Sequence, residues 1–247
     1  MHRLLVETEQ LAAERPVLSH EACNHLRVLR PKEGEAIELF DGQGRWRICA
    51  CRRVCGTSVD VEPVADVQTL ARPAAVLTLF ACVTKGSRWD WTIEKATELG
   101  VTRLVPVISE RTIVRLAPGD CAAKRARWQR IAEDAARQSD AKWLPEILSP
   151  VSFAESLPLV RATTCFVGAL TDPPPPVMGA ALAARRTSGA ADWAVYVGPE
   201  GDFTPAELAA LLEIATPVSF GSTILRAETA AIYGVSVLKA FLDVQSR

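Results

Sequence analysis

From Val76 onward the chain is a succession of short apolar runs separated by stretches of helical periodicity, and this alternation restricts the fold more than any other feature. The apolar runs are Val76–Val83, Leu104–Ile108, Thr163–Leu170, Trp193–Val197 and Val218–Phe220. The helical stretches are Arg88–Leu99, Lys124–Ser139, Val177–Arg186, Pro205–Ile214 and Ala227–Val244. Strands rich in Val and Leu on both faces must be covered on both sides, and interleaved helices do this when the strands run parallel. The spacing therefore predicts an α/β fold built on a parallel sheet. Local signals agree. Thr204-Pro205-Ala206-Glu207 combines a capping hydroxyl, a Pro at the first helical position and a Glu that closes a capping box. Ser87-Arg88-Trp89-Asp90 and Ser152-Phe153-Ala154-Glu155 follow the same logic, and Gly100 ends the first helix.

Residues 1 to about 70 read differently, as a small β-rich unit. Ala36–Phe40 is a strand, Asp41-Gly42-Gln43-Gly44 a turn, and Arg45–Cys51 the returning strand. Thr57–Glu62 alternates with period two and gives a third. Ser19 caps a short helix through Val28, which Pro31 and Gly34 terminate. Leu70-Ala71-Arg72-Pro73 reads as a linker, and Pro173–Pro176 as a stiff extended connection.

Apolar residues make up 49% of the 247, enough for a substantial core. No apolar run reaches the roughly 18 residues that span a bilayer. The opening segment lacks a secretion signal, so a cytoplasmic, non-membrane protein is expected. Seven cysteines, odd in number and scattered, suit reduced thiols. The spacing of Cys49, Cys51 and Cys55 is not a common zinc pattern, which favours buried thiols over a metal site. The net charge of −1 conceals a gradient, because residues 85–142 carry twelve basic and eight acidic side chains. A basic middle permits a polyanionic partner without requiring one.

In open α/β sheets, ligands bind at the carboxyl ends of the strands. Three loops qualify: the one after Leu170 that begins Thr171-Asp172, Gly198–Asp202, and Gly221–Thr229. Two readings are open for the Gly198 loop. It is a tight turn, or its glycines let backbone approach a flat ligand. None of the loops carries a P-loop or dinucleotide fingerprint, and Thr84-Lys85-Gly86-Ser87 lacks the upstream glycine, which argues against nucleotide hydrolysis.

Gly198-Pro199-Glu200-Gly201, followed by Ile224-Leu225-Arg226-Ala227-Glu228-Thr229-Ala230, resembles the signature of the 16S rRNA uridine-N3 methyltransferases of the SPOUT superfamily. Lys85-Gly86-Ser87-Arg88 with Ile93–Val101, Ser109-Glu110-Arg111-Thr112, and Arg127–Ala132 through Gln138-Ser139 are similar to the same family. His25-Leu26-Arg27-Val28-Leu29-Arg30 resembles an element of its N-terminal domain. The ordered set covers most of the chain. The resemblance implies a PUA-like β-barrel over residues 1–70 and a SPOUT domain over 75–247 whose C-terminal segment threads a trefoil knot, an exception to unknotted topology. It implies S-adenosyl-L-methionine as methyl donor, bound bent in the knot loops across a homodimer interface. The partner it implies is 16S rRNA or the small ribosomal subunit particle.

On that resemblance, the donor is framed by Leu170, Thr171, Gly198, Glu200, Gly201, Phe220, Gly221, Ile224, Leu225 and Ala230. For Ile224 and Leu225, ordinary core is the alternative. The donor carries its own positive charge, so no metal is required. As uracil N3 loses its proton, negative charge builds on the ring oxygens, and a fixed cation beside them favours the transition state. Arg226 is the candidate for that cation; the alternative is a salt bridge to Glu228 or Glu200 that braces the loop. Glu228 is assigned either to the donor or to orienting Arg226, and Thr229 to capping the last helix. RNA contact is assigned to Arg3, His25, Arg27, Arg30, Lys85, Arg88, Lys95, Arg111, Arg130 and Gln138. Helical spacing supports part of this set: Arg88, Thr92 and Lys95 share one face, and Arg127, Arg130 and Arg137 another. A solvated charged face is the alternative for each.

Four positions depart from the family pattern: Asp202 for a second glycine, Ala141 and Thr223 for arginines, and Phe220 for a leucine. Lys142 is expected to supply part of the charge missing at 141. Two other functions remain open: a SPOUT enzyme acting on another RNA position or a ribose oxygen, and a non-catalytic RNA-binding assembly protein.

Overall fold

The structure, a computed structural model, describes residues 1–55, 58–160, 164–185 and 192–245. Thr57, Thr163 and Arg186, the outermost residues of three expected elements, lie outside the described residues. The chain divides into two compact units: Met1–Arg72 with Glu133–Leu144, and Pro73–Ala132 with Pro145–Arg247.

The first unit contains β1 (His2–Leu5), α1 (Thr8–Ala12), α2 (His20–Leu29), β2 (Ala36–Phe40), β3 (Arg45–Cys55), β4 (Ser58–Pro63) and β5 (Gln68–Thr69). The sheet order is β1-β2-β3-β4, with β5 on β3. Strand β1 runs parallel to β2, and the other pairings are antiparallel. The turn after β2 forms because Gly42 and Gly44 adopt φ of +68° and +88°, where a Cβ is strained. The Asp41 carboxylate accepts the backbone N–H groups of Gln43 and Arg45 at 2.8 and 3.1 Å. Ser19 caps α2 by accepting from the Ala22 N–H at 3.1 Å. Leu4, Leu11, Leu26, Ile37, Leu39, Cys49 and Cys51 are buried together, and burial pushes the Cys49 thiol up to about 11. Strand β3 continues beyond the expected Cys51 through an irregularity between Cys51 and Arg53. That break in alternation is what hides its outer half in the sequence.

Residues 133–144 complete this unit. Leu144 donates its N–H to the Gly42 carbonyl at 2.9 Å, and Gly44 donates to the Lys142 carbonyl at 2.8 Å. A Cβ at Gly42 or Gly44 would stand 2.5 Å from Leu144 or Trp143, so both glycines serve close packing as well as turn geometry.

The second unit contains β6 (Leu77–Cys82), α3 (Ser87–Glu98), β7 (Arg103–Ile108), the start of α4 (Cys121–Ser139), β8 (Glu146–Ile147), β9 (Val151–Ser152) and α5 (Phe153–Ser156). It continues with β10 (Thr164–Gly168), α6 (Met178–Ala183), β11 (Trp193–Val197), α7 (Pro205–Leu212), β12 (Thr216–Val218) and α8 (Ala227–Gln245). The sheet is parallel in the order β12-β10-β11-β6-β7-β8, with β9 also on β7. Alternate strand residues feed two cores. Leu77, Leu79, Phe166, Trp193 and Val195 pack with Trp89, Ile93, Val235 and Leu238 of α3 and α8. Phe80, Cys82, Val105, Val107, Val167 and Tyr196 face Phe203 and Leu211 on the other side. Phe80 and Tyr196 stack at 4.4 Å. Each such side chain contributes roughly 1.5–3 kcal/mol on burial.

Two local expectations are corrected. The N-cap of α3 is Gly86, at φ +66° and with no side-chain capping bond, and Ser87 is the first helical residue. The last strand is Thr216–Val218 rather than Val218–Phe220, because Ser219 no longer pairs with β10 and instead forms an isolated bridge with Val177, donating its N–H to the Pro176 carbonyl at 2.9 Å. The capping boxes at Thr204 and Ser152 form as read. Gly100 follows α3 at φ +82°.

Candidate functional site

Strands β12, β10 and β11 are neighbours in the sheet, so the loops leaving their carboxyl ends meet although they lie far apart in sequence. They enclose a cavity of about 300 Å³. Gly168, Ala169 and Leu170 come from the first loop, Gly198, Pro199, Glu200 and Asp202 from the second, and Ser219–Gly221 with Thr223–Ala227 from the third. Ala230 closes the wall from the first turn of α8. Of the residues expected to frame a donor, Leu170, Gly198, Glu200, Phe220, Gly221, Ile224, Leu225 and Ala230 line this space, as does Arg226.

Thr171 and Gly201 do not line it. Thr171 is exposed and donates its hydroxyl to the Pro173 carbonyl at 2.9 Å. The Gly201 carbonyl accepts from the Arg111 guanidinium at 2.9 Å. Arg111 thus clamps the Gly198 loop, and the Glu110 N–H next to it donates to the Glu207 carboxylate of α7 at 2.8 Å. Sequence reasoning overlooked Gly168, Ala169, Val197 and Pro199 as lining residues; the first two immediately precede Leu170 and the other two flank Gly198.

The departure at Asp202 has a conformational consequence. Asp202 sits at φ +60°, the left-handed region where glycine is favoured and Asp is tolerated through local hydrogen bonding. Its carboxylate accepts from the Phe203 N–H at 2.8 Å.

Arg226 pairs with neither Glu228 nor Glu200. Glu200 is held by Arg88 at 3.1 Å, and the guanidinium of Arg226 has no ion-pair partner among the described residues. The bracing role is therefore filled by Arg88. Glu228 is only 8% exposed, yet its Oε2 lacks a hydrogen-bond partner. Thr229 is the third residue of α8 and does not cap it.

The candidate RNA residues fall into two groups. Lys85, Arg27, Arg30, Arg130 and Gln138 are exposed, and Arg27 contacts Asn24 at 3.4 Å. The others are engaged. Arg3 pairs with Asp140 at 2.9 Å and Glu38 at 3.5 Å, and Lys95 bonds Glu94 and Glu98, each at 2.8 Å. His25 is partly buried, and burial together with Arg137 holds it below its ordinary value. Thr92 is buried and donates to the Arg88 carbonyl at 3.0 Å, so it is not part of a charged face. Lys142 does not stand in for the charge missing at 141, because its ammonium is buried against Glu38 and Asp140 and lies 5.1 Å over Trp46.

The parallel α/β sheet and the β-rich unit before it match the two domains of an RNA methyltransferase with a PUA domain. Residues 71–239 match the family described as RNA methyltransferase domain, and residues 19–50 match the RNA methyltransferase PUA domain. The Ribosomal RNA small subunit methyltransferase E of a Synechocystis species is 32% identical over 98% of this chain and 78% of its own length. That of Bacillus subtilis is 28% identical over 96% of both chains. Among solved structures, a Legionella pneumophila protein in complex with the bound cofactor SAM is similar with a TM-score of 0.86, at 28% identity and 97% coverage of both chains. A Ribosomal RNA small subunit methyltransferase E from Neisseria gonorrhoeae bound to S-adenosyl methionine gives 0.84, at 30% identity and 97% coverage of both. The chain belongs to the ribosomal RNA small subunit methyltransferase E family.

Proposed function

We propose that this protein transfers a methyl group from S-adenosyl-L-methionine to N3 of a uridine in 16S rRNA. The observation that carries the reading is the convergence of three loops on one cavity with Arg226 at its edge. The space suits the donor. Its volume is of small-ligand scale, Val197, Leu225 and Ala230 offer apolar wall, and Glu200, Asp202 and Arg226 offer partners of both signs to a ligand carrying both charges. When bound, the donor supplies an electrophilic methyl whose sulfur leaves as a neutral thioether. The chain's own task is to hold the acceptor ring in line and to balance the charge that grows on its oxygens. Arg226, permanently charged and without an ion-pair partner among the described residues, is the group assigned that task. Trefoil threading of the C-terminal segment, assembly as a homodimer, a cytoplasmic location and RNA contact through the exposed basic residues belong to the same reading. No helix among the described residues is long and apolar enough to cross a membrane.

The test is a nucleoside-resolved methylation assay on undermethylated small-subunit particles, with Arg226→Ala beside the parent chain. N3-methyluridine from the parent and at least a hundredfold slower formation by the variant are expected, the scale of removing one transition-state donor. Another modified nucleoside would reassign the acceptor. Particle binding without transfer would point to an assembly factor.

A further inference from the structure

A second and more open cleft adjoins the donor cavity. It is lined by Ser87, Arg88 and Trp91 of α3 and by Arg226, Glu228 and Thr229 at the start of α8. Arg226 lines both spaces. Two further observations mark the cleft as built for a ligand. Trp91 leaves 40% of its surface exposed, while Trp89 on the same helix and Trp128 and Trp193 elsewhere in this unit are buried. Glu228 is buried with one carboxylate oxygen unpartnered, an arrangement that is unfavourable until a donor satisfies it.

Resting on the function proposed above, we propose that this cleft receives the acceptor base, with Trp91 as its stacking platform and Glu228 as the acceptor of its N3 proton. The imide edge of uracil presents a carbonyl, an N–H and a second carbonyl side by side. A carboxylate next to a guanidinium complements that edge: Glu228 accepts from N3–H while Arg226 donates to a ring oxygen. As the N3 electron pair forms the new N–C bond, the electrons of the methyl–sulfur bond stay on sulfur and the N3 proton passes to Glu228, which releases it to water. Cytosine offers an unprotonated N3 at the same place, directed at a carboxylate, and is rejected for lack of a donor. Sites built around one hydrogen-bonding group discriminate strongly against an analogue that lacks it. Trp91 accepts any flat ring by stacking, so specificity resides in the pair and affinity in the indole.

The experiment uses the full chain, S-adenosyl-L-methionine and undermethylated small-subunit particles, with donor affinity measured by calorimetry on each variant. Trp91→Ala is expected to raise KM for the particle about tenfold or more, the scale of one lost base stack. Donor affinity should be unchanged and Trp91→Phe should recover most of the loss. Glu228→Gln is expected to lower kcat about a hundredfold or more, the scale of general-base removal, with KM and donor affinity within about twofold. Melting curves on all three variants confirm folding, and Glu228→Asp replaces the Gln variant if that fails to fold. Wild-type KM and kcat in Trp91→Ala and Glu228→Gln would overturn the base pocket while N3-methyluridine from the parent chain keeps the methyltransferase reading. No methylated nucleoside from the parent would overturn both. Loss of self-association in Trp91→Ala, seen by sedimentation, would assign the face to a second copy and overturn the pocket.

Discussion

The ring of Phe220 lies against the bare Cα of Gly168. A Cβ built at 168 would stand 2.5 Å from Cε2 and 2.8 Å from Cζ of that ring. Gly168 has an ordinary φ, so glycine is required here by packing and not by backbone conformation. The same ring reaches Gly234 of α8, where a Cβ would be 3.4 Å from Cζ, and it tilts against Tyr233 at 5.5 Å. The first and third loops of the cavity are thus locked together by an aromatic ring seated on two glycines.

Gly168→Ala should therefore push Phe220 out of its seat and deform the cavity wall. Overpacking of this kind destabilises by about 1–3 kcal/mol. The expected result is a lower melting temperature together with at least a tenfold loss of S-adenosyl-L-methionine affinity by calorimetry. An unchanged affinity would show that the ring moves without reshaping the cavity.

Asp202 predicts a difference between two substitutions. Asp202→Ala keeps the Cβ at φ +60° and loses the bond to the Phe203 N–H, so destabilisation of about 1–2 kcal/mol is expected. Asp202→Gly also loses the bond but removes the strain, and should fall within about 0.5 kcal/mol of the parent. Chemical-denaturation midpoints of the two variants provide the check. Equal losses would show that the backbone conformation carries no penalty.

The strands and the three loops were legible because both rest on short-range rules. Apolar runs separated by helical periods imply a parallel sheet, and a parallel sheet puts its ligand-binding loops at the carboxyl ends. What escaped depends on contacts between distant segments. β1 is four residues long and is a strand because it pairs with β2. Trp143 and Leu144 join the first unit by filling the space over Gly42 and Gly44. Arg88 and Arg111 look like any surface arginine in sequence, and only the fold directs one to Glu200 and the other to the Gly201 carbonyl. Glu228 shows the same limit, since its charge is visible in the sequence and its burial is not.

His25 gives the first unit a pH dependence. Burial lowers its proton affinity from the ordinary 6.5, Arg137 and His2 add to that, and Asp134 opposes them. The unfolded chain then binds the proton more readily than the folded one. Stability is therefore fully present above 6.5 and is lost as pH falls from there toward the folded value. Denaturant midpoints measured from about pH 7.5 to about pH 5.5 should decline less in His25→Gln than in the parent. Parallel declines would remove His25 as the cause.

Lys142 supports the opposite of a surface role. Its side chain is 10% exposed and its ammonium lies between Glu38, 4% exposed, and Asp140. Arg3 approaches the same two carboxylates, and the indole of Trp46 covers the ammonium. A buried pair of this kind adds little over a well-packed apolar replacement, because desolvation offsets the attraction, but removing one partner strands the other. Lys142→Met should destabilise the protein by about 3 kcal/mol, somewhat less where Arg3 compensates Glu38. Adding Glu38→Leu should restore most of that loss, since the stranded carboxylate is then gone. Equal stability of the single and double variants would mean that Arg3 alone satisfies Glu38. If Lys142 instead contacted RNA, Lys142→Met would weaken particle binding with no change in melting temperature, and the burial seen here predicts the reverse.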